Sequence, residues 1–341
     1  MPGQLLDDVI GKNASRRDLS DIVTIVDAKD TPFVSMVPKG QQSEDNMLME
    51  WPADKEEEPT ENAVVDNADV TEYDDALGSY AVLQGRLQWA RRAAQVSKLA
   101  QVGQNMAGIK DKMAKQIAKK IIQLKRDMEI RLCGDGDSQA GTATVPYKTR
   151  GVGHWIRATA QTDLPVDASY LTPSASIETT ASASLTEAKI QAVLESQYKQ
   201  TGKIKTYSTL CGTTFKGLFK NFTQTQFGST NVASAIRTYN QDLASKKIVA
   251  TVDVYQGDFG TMELIPSLWL AYLDSNGATQ ATVSGVRAYN LDMDMWQLVH
   301  KQKPQIGPEL DFGGGKRRWV DTIYGLKCFN PLAEGKFAGT S

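Results

Sequence analysis

The chain has 341 residues, 41% of them hydrophobic, and its 38 Lys and Arg stand against 40 Asp and Glu for a formal charge of −2. That is a globular composition, long enough for more than one packed core and without the basic excess that phosphate-backbone binding requires. Cys133, Cys211 and Cys328 are too few and too far apart for a disulfide framework or a zinc ribbon, and no apolar run reaches membrane-spanning length.

In chain order, Asp7, Asp8 and Arg16 interrupt any signal-peptide core. A short helix follows, capped by Asp18 or Ser20, with Leu19, Ile22, Val23 and Ile25 or Val26 on its apolar side; Thr31-Pro32 ends it, because the residue before a proline is driven out of the helical region. This reads as an arm. Met47, Met49 and Trp51 alternate with Leu48 and Glu50 as a strand, and a second strand runs from Ser79 through Leu83 towards Leu87 and Trp89. The two make a long hairpin. A lone ribbon is marginal in water, so its apolar face needs cover, expected here from another chain.

Charge is unevenly distributed around this hairpin. Asp54 to Asp75 holds ten acids and one base, and Arg86 to Arg131 holds twelve bases and three acids. Much of the basic pole lies on a helix expected from Asp111 to Leu132, where Met113, Ile117, Ile121, Leu124, Met128 and Leu132 form one stripe and Gly134 stops it. The opposite poles suggest that Glu56, Glu57, Glu58, Glu61, Asp66 and Asp69 of one copy meet Arg91, Arg92, Lys112, Lys115 and Lys119 of a neighbour. Bland rivals exist for such runs, since most are solvated faces.

Residues 172–184 are Thr-, Ser- and Ala-rich, too poor in large apolar side chains to pack tightly. Ser184 with Glu187 forms a capping box, opening a helix through Ile190, Val193, Leu194 and Tyr198 that Gly202 closes. A helix with Phe215, Leu218, Phe219 and Phe222 comes next. Strands are then expected over Lys247–Tyr255, Met262–Ile265, Leu268–Leu273, Trp319–Tyr324 and Leu326–Phe329. The fold class is α+β with segregated elements.

Chemistry is sparse. His154 and His300 have no companion ligand at metal spacing and read as structural or surface residues. Gly134-Asp135-Gly136-Asp137-Ser138 lacks the continuation of a calcium loop and reads as a polar turn. Gly151-Val152-Gly153 is no dinucleotide fingerprint, and Gly313-Gly314-Gly315-Lys316 is followed by Arg317, so it is no phosphate loop. Lys316-Arg317-Arg318-Trp319 reads as a glycine turn entering a strand with exposed basic residues. No cofactor, metal site or catalytic set is expected.

The order of parts nevertheless resembles the major capsid proteins of tailed bacteriophages, the HK97-like fold, and at residue level the SU10-like major head proteins. The similarity lies in Asp18-Leu19-Ser20-Asp21-Ile22, Thr31-Pro32-Phe33, Glu50-Trp51 with Asp54, Val96-Ser97 and Gly108. It continues in Leu124-Lys125-Arg126-Asp127-Met128-Glu129, Arg150-Gly151 with Trp155, Tyr255 with Asp258-Phe259-Gly260, and Asn330 with Ala333. The acidic stretch Asp54–Asp75 and the segment Pro304–Gly315 depart from the pattern.

The resemblance implies an N-terminal arm (1–40), an extended hairpin or E-loop (41–92), and a peripheral (P) domain with a spine helix (93–165). It implies an axial (A) domain of mixed α/β structure (166–300) and C-terminal strands returning to the P domain (301–341). It implies homo-hexamers and homo-pentamers of an icosahedral shell in the virion, assembled in the host bacterial cytoplasm and enclosing double-stranded DNA without sequence-specific binding. Portal and scaffolding or decoration proteins are the implied partners, with no membrane. With Met1 opening the chain, no cleaved scaffolding segment is expected, and the arm is expected to be held by contacts. The alternatives are an encapsulin-like compartment shell, a soluble enzyme using Cys211 or Cys133 with His154 as base, and a DNA-binding protein.

Overall fold

The computed structural model describes residues 31–41, 46–55, 59–70, 73, 80–102, 111–181, 184–223, 241–242, 247–248, 252–270, 287–311 and 313–339. The helix expected over Asp18–Val26 lies outside them. Pro32 opens a helix: α1 (Pro32–Met36) carries it at the first position, where a missing N–H costs nothing. Strand β1 (Lys39–Gln41) follows.

Strands β2 (Leu48–Ala53) and β3 (Ala81–Arg86) form the expected ribbon, in register from Leu48 opposite Arg86 to Ala53 opposite Ala81. Its cover comes from the same chain, correcting the expectation of a neighbour. Met49, Trp51 and Leu83 are buried in the main core; the Trp51 ring lies 5.8 Å from Trp155, and its indole N–H donates to the Cys328 carbonyl at 3.1 Å. The root of the ribbon is therefore part of the body.

Past Leu87 the chain continues as β4 (Gln88–Ser97) and a short helix, α2 (Lys98–Val102). Helix α3 (Lys112–Leu132) then realises the apolar stripe. Asp111 caps it, accepting from the Met113 and Ala114 amides at 2.9 and 3.1 Å. At 1.5 Å per residue it is roughly 32 Å long. It ends at Cys133, one residue before the expected glycine. Helix α4 (Val152–Trp155) is a single turn.

Strand β5 (Ile177–Glu178) lies within the stretch read as loosely packed. That stretch is instead fastened by hydrogen bonds: Thr172 Oγ1 donates to the Pro331 carbonyl at 2.8 Å, and buried Ser176 and Ser196 pair at 2.8 Å. Helix α5 (Glu187–Thr201) closes on Gly202 at φ +65°, where glycine pays no steric cost. Its cap position is Thr186, so the Ser184 capping box does not form.

Strand β6 (Lys205–Cys211) and helix α6 (Thr213–Thr223) follow. Next come β7 (Gln241–Asp242) and β8 (Lys247–Ile248), paired with each other, then β9 (Val254–Gln256) and β10 (Gly260–Pro266). Residues 268–270 form a turn where a strand was expected. The chain closes with β11 (Ala288–Leu291), β12 (Trp296–Ile306), β13 (Leu310–Asp311), β14 (Gly315–Cys328) and β15 (Gly335–Phe337).

Two sheets organise these elements. In the five-stranded sheet the long β14 pairs with β4 on one side, from Gly315 opposite Ser97 to Tyr324 opposite Gln88, and with β12 on the other. Helix α3 lies across it, with Met113, Ile117 and Leu124 buried against Ala94, Val96 and Val320. The six-stranded sheet runs β5-β15-β11-β6-β10-β9 and shares a core with α5 and α6 through Ile190, Leu194, Phe215 and Phe219. The last two of these strands serve one sheet each, β14 the five-stranded and β15 the six-stranded.

Glycine sets the fit between ribbon and body. A Cβ on Gly325 would lie 2.5 Å from Met49 Cε and 3.1 Å from the Arg86 carbonyl oxygen. Gly325→Ala is expected to cost about 1–3 kcal/mol through overpacking at the ribbon's root, read as a lowered melting temperature.

Candidate assembly surface

Beyond its buried root the hairpin carries exposed acids and exposed apolar side chains together. Glu61, Asp66 and Asp69 are exposed, as are Val64 (72%), Val65 (81%) and Tyr73 (85%). Asn67 sits at φ +64°, and the Ala68 amide returns to the Val65 carbonyl at 3.1 Å, so this stretch turns back on itself. Glu56, Glu57 and Glu58 lie outside the described residues. Charge counting found the acidic pole and missed the valines and tyrosine interleaved with it.

The basic residues separate into two groups. Lys112, Lys115 and Lys119 line one open groove of about 390 Å³ with Gln95, Val96 and Ser97, between the end of β4 and the start of α3. Lys112 Nζ donates to the Ala100 carbonyl. Lys115 and Lys119 have no acidic partner among the described residues. Arg91 lies elsewhere, with its guanidinium 5.0 Å from the Trp89 ring. Arg92 is engaged within the chain, bound through two nitrogens to the Asp127 carboxylate of α3, each at 2.5 Å.

The turn after α3, read as a plain polar loop, is a charged junction that joins the six-stranded sheet, the segment 150–163 and the ribbon. Asp137 accepts from Arg150 Nε at 2.9 Å and from the Thr162 and Asp163 amides at 3.1 Å, with His154 Nε2 3.3 Å away. Asp135 meets Lys336 of β15 at 3.0 Å and Arg287, just before β11, at 3.4 Å. Asp163 holds Arg86, the last residue of β3, through two bonds of 2.7 and 3.0 Å.

Burial alone would raise the Asp137 carboxyl, but the His154 hydrogen bond, the Arg150 charge and the Asp163 amide hold it well below the usual carboxylate range. Burial pulls Arg150 and Lys336 down against their acidic partners. The sequence signal was present in two aspartates spaced among glycines. What it lacked was their distant cations.

A buried acid holds α1. Glu129 of α3, fully buried, accepts from the Phe33 and Val34 amides at 2.9 and 2.8 Å and so caps α1 from 95 and 96 positions away in the chain. Phe33 in turn stands edge-on to Trp296, with ring centroids 6.4 Å apart.

None of this is a catalytic arrangement. All three cysteines are buried; burial pushes the Cys211 thiol up to about 11 and holds those of Cys133 and Cys328 well above the ordinary thiol range, the reverse of an activated nucleophile. His154 is buried against Asp135, Asp137 and Arg157, and the Cys133 thiol faces Glu129 instead. The thiol-enzyme reading fails on both counts. His300 is also buried, and burial lowers its pKa. Among the described residues, no helix is long and apolar enough to cross a membrane.

A two-stranded ribbon rooted in the body, a long helix laid across a sheet and a second, mixed sheet make up the HK97-like fold of phage capsids, and solved phage structures share it over nearly the whole chain. The capsid of cyanophage P-SCSP1u superimposes with a TM-score of 0.59 at 10% identity, covering 99% of this chain and 95% of that one. The Mycobacterium phage Bobi structure gives 0.59 at 8%, covering 99% and 100%, and the capsid of a native GTA particle 0.58 at 9%, covering 98% of each. No curated protein matches the sequence significantly. The family model of the SU10 major capsid protein matches residues 7–341, and the chain belongs to that family: it is a major capsid protein, a structural component and not an enzyme.

Proposed function

We propose that copies of this chain assemble as homo-hexamers and homo-pentamers into an icosahedral shell around double-stranded DNA. In this reading the acidic hairpin of one copy seats in the lysine groove of the next. The observation that carries it is the complementarity of two unfinished surfaces: Lys115 and Lys119 lack acidic partners among the described residues, and Glu61, Asp66 and Asp69 stand exposed beside Val64 and Val65. The valines supply apolar burial that ion pairs alone do not. Exposed pairs contribute roughly 0–1 kcal/mol each, so the charges set register and encounter rate more than affinity.

Helix α3 with the five-stranded sheet would form the peripheral unit, and the six-stranded sheet the axial one. Near-neutral charge suits a container that holds DNA without gripping it. Assembly in the host bacterial cytoplasm, with portal and scaffolding or decoration proteins, completes the reading. Two of the fold relatives named above, the cyanophage P-SCSP1u capsid and the capsid of the native GTA particle, support it.

Replacing Glu56, Glu57 and Glu58 by Gln, or Glu61, Asp66 and Asp69 by their amides, is expected to slow assembly several-fold and flatten its salt dependence, followed by light scattering. Wild-type rates with unchanged salt dependence would remove the charge-steered contact. Electron micrographs of the wild-type protein without closed shells would remove the shell.

A further inference from the structure

The Arg86–Asp163 pair stands where a small rotation has the largest effect. Arg86 is the last residue of the ribbon, and two parallel N–H···O bonds of 2.7 and 3.0 Å fix its guanidinium plane against Asp163. Asp163 is itself held from three directions. Its amide donates to Asp137, its carbonyl accepts from Arg150 Nη2, and the following Leu164 is locked at φ +49° with its carbonyl on the same Arg150 nitrogen at 2.9 Å. A leucine in the left-handed region is strained, and strain persists only where surrounding structure over-determines it. Here that structure presents one carboxylate to the root of one ribbon.

The apolar contacts beneath do not fix an angle by themselves. Met49, Trp51 and Leu83 press the ribbon onto Trp155 and Leu326, and Gly325 lets the backbones approach closely, which makes a fulcrum. Non-directional packing tolerates tilt about such a point, and a bidentate pair does not. The ribbon's six paired residues on each strand reach roughly 20 Å, so a rotation of about 10° at the root carries the far end roughly 3.5 Å. That is the scale of a lost contact.

We infer that the Arg86–Asp163 pair is a positioning device that sets the angle at which the hairpin leaves the body, and through it the curvature of the closed shell. This rests on the shell reading above. Asp163→Asn and Arg86→Lys remove the bidentate geometry while keeping size and polarity, and the exchange Arg86→Asp with Asp163→Arg restores opposite charges. Lys205→Met, which breaks the Lys205–Asp292 pair of the six-stranded sheet at 2.5 Å, serves as a control for lost stability.

Particle diameters measured by electron microscopy, with melting temperatures alongside, decide the matter. The single variants are expected to give a broadened or shifted diameter distribution or open sheets. The exchange should narrow the distribution again, and Lys205→Met should keep the wild-type diameter despite a lower melting temperature. Single variants that melt lower and still close into wild-type-sized shells would overturn the inference and leave the pair as ordinary stabilisation. If Asp163→Asn does not fold, Arg86→Lys and the exchange carry the test on the same readout. A wild-type protein that never closes shells would instead remove the shell reading itself.

Discussion

Asp137→Ala is expected to lower the stability of the folded chain by about 3–5 kcal/mol, because it strands a charge where water cannot reach it. Arg150 is 1% exposed, and its Nε bond to Asp137 is its only carboxylate contact at hydrogen-bond distance among the described residues. The substitution also frees the Thr162 and Asp163 amides and removes the acceptor facing His154. Urea unfolding of the purified chain measures the loss. A change below about 1 kcal/mol would mean that the junction is solvated, contrary to its burial.

The same residue predicts an acid response. A carboxyl held below its ordinary range contributes stability that is fully present above the unfolded-state pKa and is lost as pH falls towards the folded one. Stability should therefore be flat in this contribution near neutrality and decline progressively below about pH 4, and Asp137→Asn should flatten the decline. Glu129 pushes the other way. Burial, the largest influence, raises its pKa against the Phe33 and Val34 amides and the Cys133 thiol, so the folded chain takes up that proton more readily than the unfolded chain. Acidification through that range favours folding at this one site.

Glu129→Ala should release α1. It leaves the Phe33 and Val34 amides buried without acceptors and opens a cavity beneath α1, for an expected cost of about 2–4 kcal/mol. Glu129→Gln keeps one acceptor and presents a donor to the other amide, so its loss should be intermediate. Hydrogen exchange at residues 33–37 separates release from global unfolding: those amides should exchange fast in the alanine variant while α3 stays protected. Equal protection in wild type and variant would show that packing of Phe33 holds α1 without the carboxylate.

Elements with a single strong period were readable from the chain. Helix α3 was legible because six large apolar residues recur on one face with Asp111 ahead of them, and the ribbon because Met47 to Trp51 alternates cleanly. Strand β12 was not. It starts apolar at Trp296 and runs out through Lys301, Lys303 and Pro304, since only its first half lies over the core. Strand β4 hid among arginines because one face carries Ala94 and Val96 against α3 and the other is exposed. The charged junction was out of reach for a different reason. Asp135 and Asp137 find partners 13 to 201 positions distant, and no local pattern records a pairing that only the tertiary fold creates.

The ribbon's anchored base has one more consequence. Because Trp51, Met49 and Leu83 are already seated in their own subunit, the conformational freedom of this part of the ribbon is surrendered during folding, before any neighbour arrives. Docking then carries a smaller entropic penalty than it would for a limb that ordered itself on contact. In the assembly proposed above, weak individual contacts between such subunits would then suffice for growth and still permit a misplaced one to leave.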